Sequence, residues 1–568
     1  MKNGLGWMRV AAAVASGSLA AAAFAPFQCS ALVWIALIPL LAALWSVTGK
    51  RAAWKGFGLG YLAGLVACLL QFNWLTSVSW LGALLLPMYL AIYWGLFGCF
   101  AATLGKPGKA GGPWASLQVA FCHGAVWAGC ELLRGWVFTG ISWNGLGMAF
   151  QEMRVLAQAA DLLGVTGLAL MVVSVQAVVV LAARAIFQGK SRNRWDLAIA
   201  AAWVLALYGY GKIRIGIEQR AESVRVKALL VQINIPQDAA QVLWTDLEVH
   251  QAYEEQTLQA LAQLKSATGE ISPQWPDWVM WPECALTGRI LRTHDGEWAT
   301  WQINQDTIDQ VRAAGPFSLI YGVNELEAEK SGANLVPKPR GRAYNSIAVM
   351  SPTDELQTYR KQHLVIFGET IPFVDSIPLL KKIYEQQSGG EYGGSFTPGD
   401  SSEPLPILAG NNPIGAIPTV CFEDSVARLT RRFVRQGPQV ILNLTNDGWF
   451  KQSAAAAQHF AAARFRAIEL RRPMLRCANS GVSAAIDSTG STAHPDTGAP
   501  QVLVDAAGSH FTRGSLLAVL NVPLRPSFSL FAVIGDWGIL SVAMLGLGLA
   551  YWQRRSEPQM PTELARQA

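Results

Sequence analysis

The hydrophobic residues of this chain form long unbroken runs near both ends and short segments between polar stretches in the middle. A helix needs about 20 apolar residues, at 1.5 Å each, to span a bilayer. Runs of that length predict eight spans, at 8–26, 30–48, 56–74, 81–104, 114–134, 160–186, 195–212 and 527–552. We therefore expect a transmembrane domain of about seven helices at residues 1–212, a C-terminal transmembrane helix at 527–552 and a polar tail at 553–568.

The first run also has the features of a signal peptide. Lys2 and Arg9 precede an Ala-rich stretch that ends in the small-residue site Ala23-Phe-Ala25. Cleavage there would remove the first span and leave the remaining topology unchanged. Retention and cleavage are both compatible with the sequence.

Strand-like and helix-like patterns alternate through residues 213–526. Apolar segments of strand character lie at 224–232, 278–281, 319–323, 346–350, 414–420, 440–444, 474–478 and 516–522. Helical stretches lie at 243–266, 304–314, 424–436 and 453–471, and stretches rich in Gly, Pro and Ser at 331–341 and 388–412 predict long loops. This alternation favours a layered α/β domain between the membrane segments.

Composition supports a membrane protein, because 51% of the 568 residues are hydrophobic and 22 are Trp. The net charge of +6 is small for this length and no long run of Lys and Arg occurs, so nucleic acid is not an expected partner. Of the eight Cys, only Cys284, Cys421 and Cys477 lie in the middle domain, without CxxC or Cys/His metal spacing. We expect at least one free thiol there and no metal.

Basic residues in the short connections predict the orientation. Those of alternate connections are Lys50, Arg51, Lys55, Lys106, Lys109, Arg184, Lys190, Arg192, Arg194, Arg554 and Arg555. Such loops are cytoplasmic in membrane proteins. The middle domain then lies on the opposite side, which in a bacterium is the periplasmic face of the inner membrane.

One segment of the middle domain presents a single thiol directly after an apolar strand. Cys421 follows the strand-like run that ends at Val420, an arrangement typical of a nucleophile. Glu283 ends the apolar segment Trp278-Val-Met-Trp-Pro, and Lys361 lies in a third segment. Each has a structural alternative: an inert buried thiol, a carboxylate that ends a strand and a solvated surface charge.

Together the three segments resemble the nitrilase (carbon–nitrogen hydrolase) superfamily, whose Glu-Lys-Cys triad lies on an αββα sandwich. Within it, nearly the whole chain resembles the apolipoprotein N-acyltransferase family. The motifs that carry the resemblance are Glu131-x-x-Arg134-Gly-Trp-Val-Phe-Thr-Gly140, Trp281-Pro-Glu283, Tyr344-Asn-Ser346, Tyr359-x-Lys361-x-His363-Leu-Val-x-Phe367-Gly-Glu369, Cys421-Phe-Glu423, Asn446-Asp-Gly-Trp449-Phe, Gln458-His459, Arg466-Ala-x-Glu469, Arg472-Pro473 and Asn479-x-Gly481. Ile366 and Phe422 depart from the family, which usually has Pro and often has Tyr at these positions.

In this interpretation Glu283 is the general base and Cys421 forms a thioester. Lys361, with the backbone N–H of Phe422, stabilises the tetrahedral intermediate. Glu423 and Glu369 hold Lys361 charged and oriented. The substrate-binding residues that the resemblance implies are Tyr344, Asn345, Phe367, Trp449, Trp244 and Arg134. Arg134 has an alternative role at headgroup depth in an interfacial aromatic belt.

The resemblance implies a monomeric enzyme without a cofactor. It takes an acyl chain from a phospholipid, usually phosphatidylethanolamine, and places it on the α-amine of a diacylglyceryl-cysteine at the N-terminus of a lipoprotein. This would be the final step of lipoprotein maturation, with ping-pong kinetics. The segment 371–382, apolar residues followed by two lysines, suits an edge at the membrane or a plain buried loop.

Three residues near these motifs are expected to have structural roles. Cys284 is expected to pack, and His363 and His459 to fix loops through hydrogen bonds. Two competing functions are a membrane-tethered amidase with the same triad and a transporter or lipid-binding scaffold. The number of spans argues against the first, because one span would anchor a hydrolase. The scarcity of ionisable residues within the spans argues against the second.

Overall fold

Two units make up the computed structural model, which describes residues 2–108, 112–189, 194–238, 241–265, 271–371, 377, 379–382, 385 and 394–556. The first unit comprises Met1–Asn73, Trp80–Ile213 and Val533–Ala568. The second comprises Trp74–Ser79 and Arg214–Ala532. Lys109, Lys190 and Arg192 of the orientation argument, and half of the predicted membrane edge at 371–382, lie outside the described residues.

Apolar helices form the first unit. Its described helices are Lys2–Ala22, Ile38–Ser46, Ala52–Gln71, Trp80–Ala102, Pro113–Arg134, Arg154–Ala157, Ala160–Phe187, Trp195–Gln219 and Asp536–Ser556, the eighth of which continues into the second unit. Four of them, Ala52–Gln71, Trp80–Ala102, Ala160–Phe187 and Trp195–Gln219, are long and apolar enough to cross a membrane. The chain is an integral membrane protein.

The described residues do not confirm the count of eight spans. The predicted span at 30–48 is divided into a 3-10 turn, Ser30–Trp34, and the nine-residue helix Ile38–Ser46. Pro39 lies in the first turn of that helix, where its missing N–H is tolerated, and so favours a helix start there. Nine residues rise only about 14 Å, less than half of the hydrocarbon thickness.

The second unit contains a nine-stranded sheet. Its strands are β1 (Ser223–Gln232), β4 (Trp278–Met280), β5 (Leu286–Arg292), β6 (Trp298–Thr300), β7 (Ser318–Ser331), β8 (Asn334–Pro337), β9 (Ala343–Met350), β10 (Leu356–Arg360) and β16 (Gly514–Pro523). The order is β10-β9-β7-β4-β1-β16, with β5 and β8 paired to β7 and β6 paired to β5. Strand β4 is parallel to β1 and β7, and its last residue, Met280, lies between Leu230 of β1 and Ile320 of β7.

A five-stranded sheet forms the second layer. Its strands, in sheet order, are β11 (Leu405–Ala409), β12 (Asn412–Val420), β13 (Gln439–Thr445), β14 (Met474–Ala478) and β15 (Ala484–Ile486). A small ribbon pairs β2 (Gln237–Asp238) with β3 (Gln241–Val242). The helices of the unit are Asp246–Ala262, Gln302–Arg312, Ala427–Thr430, Ala455–Leu470 and Leu530–Ile534.

Side-chain alternation along the strands produces the layers. In β1, Leu230 belongs to the core shared by both sheets, whereas Leu229 and Val231 pack on the opposite face. On that face lie Tyr253 of the helix Asp246–Ala262 and Ile308 of the helix Gln302–Arg312. The helix Ala455–Leu470 packs against the five-stranded sheet. The predicted αββα sandwich is confirmed.

All eight predicted strands lie within observed strands or extend them by one residue, but other elements differ. The predicted helix 424–436 is a short helix, Ala427–Thr430, followed by a 3-10 turn, Arg431–Phe433. The predicted loop 331–341 contains the hairpin of β7 and β8. The predicted loop 388–412 contains β11, an edge strand that tolerates a Pro in its interior.

Candidate active site

Cys421 is the first residue of a tight turn that follows β12, a strand that runs parallel to β13. Its φ is +51°, in the left-handed region that non-glycine residues rarely adopt. A 3-10 turn, Cys421–Ser425, follows at once. Asn443 of the neighbouring strand β13 donates from Nδ2 to the Cys421 carbonyl oxygen at 3.0 Å. This strand-to-turn geometry, held by the next strand, is how nucleophiles are presented at the edge of a sheet.

Glu283 follows β4 at the adjoining edge of the nine-stranded sheet and is buried. The chain passes very close to Gly322 of β7 there: a Cβ at Gly322 would lie 2.5 Å from the Glu283 Cα. The Gly322 N–H donates to the Pro282 carbonyl oxygen at 3.1 Å. Only glycine permits this approach, which fixes the backbone that carries the carboxylate.

Lys361 follows β10 and is 1% exposed. Its Nζ lies 2.8 Å from Glu369 Oε2 and 3.5 Å from Glu283 Oε1. Burial alone would lower the pKa of Lys361, but Glu369 and Glu283 outweigh it and hold that pKa well above its usual value. The ammonium group therefore stays charged in a site that is poor in water.

Asn345 of β9 joins the two carboxylates. Its Nδ2 donates to Glu283 Oε1 and to Glu369 Oε1, each at 2.8 Å. Its backbone carbonyl accepts from the Lys361 N–H at 2.8 Å. Asn345 was expected to bind substrate; in the structure it fixes the acidic groups and the lysine backbone relative to one another.

The protonation states follow from burial and from these charges. Desolvation, and next the negative charge of Glu283, raise the pKa of the Cys421 thiol well above its usual value. Desolvation also raises the pKa of Glu283, while Lys361 and hydrogen bonds from Asn345 and from the Cys421 thiol oppose that rise. With its pKa raised, Cys421 rests as a thiol, and a base is needed to ionise it.

Glu423 acts on Lys361 without a direct ion pair. In the described part of the chain no such pair forms, but the charge of Glu423 helps to raise the pKa of Lys361. It accepts hydrogen bonds from the backbone N–H groups of Gln362 at 2.7 Å and His363 at 2.9 Å, and from the Tyr359 hydroxyl at 3.0 Å. Glu423 therefore links the thiol turn to the segment that follows β10, and so places Lys361 indirectly.

Burial raises the pKa of Glu423 to about 7, against the opposing effects of Lys361 and of the backbone N–H donors. Phe422, the proposed backbone donor, stacks on His363 with ring centroids 5.9 Å apart. The same turn thus supplies the thiol, the neighbouring N–H and the carboxylate that binds the lysine segment.

A buried ionic network supports the turn from behind. His459 approaches Asp447 Oδ1 at 2.8 Å through Nδ1 and Asp424 Oδ1 at 2.9 Å through Nε2. Arg476 Nη2 lies 3.3 Å from Asp447 Oδ2. Burial lowers the pKa of His459, but Asp424 and Asp447 outweigh it and raise that pKa to about 9. His459 fixes loops, as expected, and does so as a cation.

Sequence reasoning missed Arg476 and the roles of Asp424 and Asp447 in this network. An arginine inside the otherwise apolar strand Met474–Ala478 was the available signal, because a buried charge requires partners.

Two of the other predicted substrate-binding residues, Tyr344 and Trp244, contact residues outside the Glu283, Lys361 and Cys421 cluster. Tyr344 donates to Glu327 at 3.0 Å and lies under the Arg360 guanidinium, 3.9 Å from its ring. Trp244 is half-buried against the core of the nine-stranded sheet. The contacts of Tyr344 and Trp244 are therefore those of side chains that pack within the domain.

Phe367 and Trp449 lie in loops. Phe367 is 61% exposed with φ +63° in the segment after β10, and Trp449 is half-buried in the 3-10 turn Asp447–Phe450. These two aromatic side chains remain candidates for contact with an acyl chain.

Arg134 and Cys284 complete the sequence-predicted set. Arg134 belongs to the first unit, where it is buried and donates to the Trp143 and Ser142 carbonyl oxygens at 3.0 and 3.3 Å. Cys284 was expected to have a packing role; its side chain is exposed, and its φ is +51°. Among the described residues, no cluster of three His, Cys, Asp or Glu side chains is arranged to hold a metal ion.

Comparison with known families and proteins agrees with this architecture. Residues 16–178 match the apolipoprotein N-acyltransferase N-terminal domain, and residues 230–506 match the carbon–nitrogen hydrolase family. Among solved structures, a variant of an amidase from Nesterenkonia sp. AN1, with acrylamide added at its active-site cysteine, aligns with a TM-score of 0.30. The aligned residues are 12% identical, and the alignment covers 56% of this chain and 98% of the amidase.

Curated relatives cover most of the chain. The apolipoprotein N-acyltransferase of Bradyrhizobium diazoefficiens is 31% identical over 86% of this chain and 87% of its own length. That of Rhodopseudomonas palustris is 32% identical over 85% and 86%. The chain therefore belongs to the apolipoprotein N-acyltransferase family, an enzyme family within the carbon–nitrogen hydrolase superfamily.

Proposed function

We propose that this enzyme transfers an acyl chain from a phospholipid to the α-amine of an S-diacylglyceryl-cysteine at the N-terminus of a lipoprotein. Phosphatidylethanolamine is the proposed donor, and the chain acts as a monomer. The observation that carries the proposal is the buried pair of Glu283 and Lys361 beside the half-buried Cys421 thiol, in a chain of this family.

In the first half-reaction, Glu283 takes the proton of Cys421 as the sulfur attacks the ester carbonyl of the phospholipid. Negative charge develops on the carbonyl oxygen, which Lys361 and the backbone N–H of Phe422 stabilise. The intermediate then expels the lysophospholipid alkoxide, which takes the proton from Glu283. The product is a thioester on Cys421.

In the second half-reaction, the free α-amine of the lipoprotein attacks the thioester carbonyl. Glu283 takes a proton from the attacking nitrogen, and the same donors stabilise the second tetrahedral intermediate. The C–S bond breaks, and the sulfur recovers its proton from Glu283. An amide forms and the resting thiol returns, so the two substrates use one site in turn.

The proposed substrates favour a site at the membrane. Each CH₂ group of an acyl chain is worth about 0.8 kcal/mol of burial, so drawing a long chain into water would cost on the order of 10 kcal/mol. The basic residues of the alternate connections support a catalytic domain on the periplasmic face of the bacterial inner membrane.

An assay with a labelled phospholipid donor tests the proposal. Purified enzyme supplied with a diacylglyceryl lipopeptide should move the label to the peptide amine, and a peptide with a blocked α-amine should receive none. Release of the label as free fatty acid at the same rate with both peptides would favour the amidase-type hydrolase.

A further inference from the structure

The first unit contains a cavity of about 340 Å³ at the end of its helices where the loops after Ser46 and Ala102 lie. Small-molecule sites occupy about 300–1,000 Å³, so a compact polar group fits this space. The lining residues are Val47, Thr48, Gly49, Ala52, Ala102, Thr103, Leu104, Lys106 and Arg554. All belong to the first unit, and none is part of the candidate active site.

Positive charge is concentrated around this cavity. Lys106 and Arg554 line it, and Arg184, Arg554 and Arg9 all act on Lys106. Desolvation and the neighbouring arginines lower the pKa of Lys106. Like charges held this close, with one of them partly removed from water, oppose one another unless an anion lies between them.

For three of these four basic residues, the described carboxylates do not supply that anion. In the described part of the chain, Arg9, Lys106 and Arg184 form no ion pair with an acidic side chain. Arg9 instead donates to the Ser46 hydroxyl and carbonyl oxygens at 2.8 and 2.7 Å, and Lys106 donates to the Val47 carbonyl. These contacts hold Arg9 and Lys106 beside the cavity without a carboxylate partner among the described residues.

The start of a long helix adds to the positive potential. Ala52, a lining residue, begins the helix Ala52–Gln71, and its N-cap residue Arg51 makes no side-chain capping hydrogen bond. The N-terminal end of a helix of 20 residues favours an anion. Lys106 and Arg554 line the cavity beside this helix start, a placement that a cytoplasmic loop position alone does not require.

We propose that this cavity binds the phosphate group of an anionic ligand, distinct from the acyl donor. The ligand is the headgroup of an anionic phospholipid or a soluble phosphate compound. In the proposed orientation, the basic loops at this end of the helices lie at the cytoplasmic leaflet. Basic pockets between transmembrane helices on that side recognise such headgroups in other proteins.

Binding of phosphatidylglycerol to the full-length enzyme tests the proposal. The enzyme is placed in phosphatidylcholine nanodiscs, and retained lipid is counted by native mass spectrometry as phosphatidylglycerol is titrated. Lys106→Gln and Arg554→Gln should each weaken retention by about five-fold, the effect of one basic residue near a lipid phosphate. Arg184→Gln, at an exposed residue, replaces Lys106→Gln if the latter does not fold.

Arg555→Gln is the matched control. It removes the same charge one residue further along the same helix, where the guanidinium lies 4.9 Å over the Tyr551 ring. Retention equal to wild type in the cavity variants, or an equal loss in Arg555→Gln, would overturn the proposal. A titration of inorganic phosphate against the enzyme in detergent distinguishes the two sources of the ligand. Saturable binding of phosphate that depends on Lys106 identifies a soluble ligand. No such binding, together with lipid retention in nanodiscs, identifies the lipid headgroup.

Discussion

The carboxylate of Glu283 lies 3.5 Å from the ammonium group of Lys361, and both side chains are buried. Desolvation makes Glu283 a stronger base than a free carboxylate, while the lysine charge limits that effect. The base is therefore able to take a proton from a thiol whose own pKa is raised. This balance explains why a thiol without a preformed thiolate can serve as the nucleophile.

Loss of the base should stop acylation without loss of the fold. Glu283→Gln retains the shape and the contact with Asn345 but cannot accept a proton. We expect thioester formation to fall by roughly 10² to 10⁴, the usual contribution of general base catalysis. Single-turnover labelling of Cys421 by phospholipid, with the melting temperature as a control for folding, measures it; near-normal labelling would exclude Glu283 as the base.

Two substitutions should move the pH dependence of acylation in opposite directions. The hydrogen bond from Asn345 lowers the pKa of Glu283, whereas the charge of Glu369 raises it. In Asn345→Ala the acidic limb of the rate profile should therefore move to higher pH, and in Glu369→Gln to lower pH. Both substitutions should also lower the acylation rate by about 10²-fold, because they displace the groups that surround Glu283 and Lys361. Shifts in the same direction would contradict the assigned contacts.

The His459 network should make stability depend on pH. The pKa of His459 is about 9 in the folded protein, above its ordinary 6.5, because Asp424 and Asp447 outweigh burial. Because its pKa is raised in the folded state, protonated His459 contributes fully to the stability of the fold below about pH 6.5. This contribution is lost as pH rises through 9. The melting temperature of His459→Gln should lie furthest below wild type at low pH, and the gap should narrow towards pH 9.

His363 provides the matched control for that experiment. Burial, and next the charges of Arg428 and Lys361, lower its pKa to about 4, so it stays neutral through the same range. The difference in melting temperature between wild type and His363→Gln should not vary from pH 6.5 to 9. Equal pH dependence of the two variants would contradict the charged state of His459.

The orientation of the chain is tested with reporter fusions. Ala507 lies in an exposed turn of the catalytic domain. Alkaline phosphatase fused after it should be active, because this reporter matures only outside the cytoplasm. The same reporter fused after Arg555 should be inactive. The reverse pattern would place the catalytic domain in the cytoplasm.

The sequence predicted eight of the sixteen described strands and drew attention to two catalytic candidates for the same physical reason. Glu283 and Cys421 each follow an apolar strand closely, whereas Lys361 follows β10, a polar strand that the hydrophobic pattern did not predict. The family resemblance selected Lys361 and connected the three residues.

The supporting contacts could not be predicted in this way. Glu423 looked like a partner for Lys361 because both are charged, but its position depends on backbone N–H groups of a distant loop. The role of Asn345 required knowledge that one amide nitrogen reaches two carboxylates. Such contacts depend on three-dimensional placement within about 3 Å, which strand patterns do not specify.

The central claim is that Cys421 carries the acyl chain between the two substrates, and the intact mass of the enzyme tests it most directly. After incubation with phosphatidylethanolamine alone, we predict one added acyl group that hydroxylamine removes. The group should be absent from Cys421→Ala and present in Cys284→Ala, which removes the exposed neighbouring thiol. An acyl group that persists in Cys421→Ala, or none until the lipopeptide is added, would contradict the account.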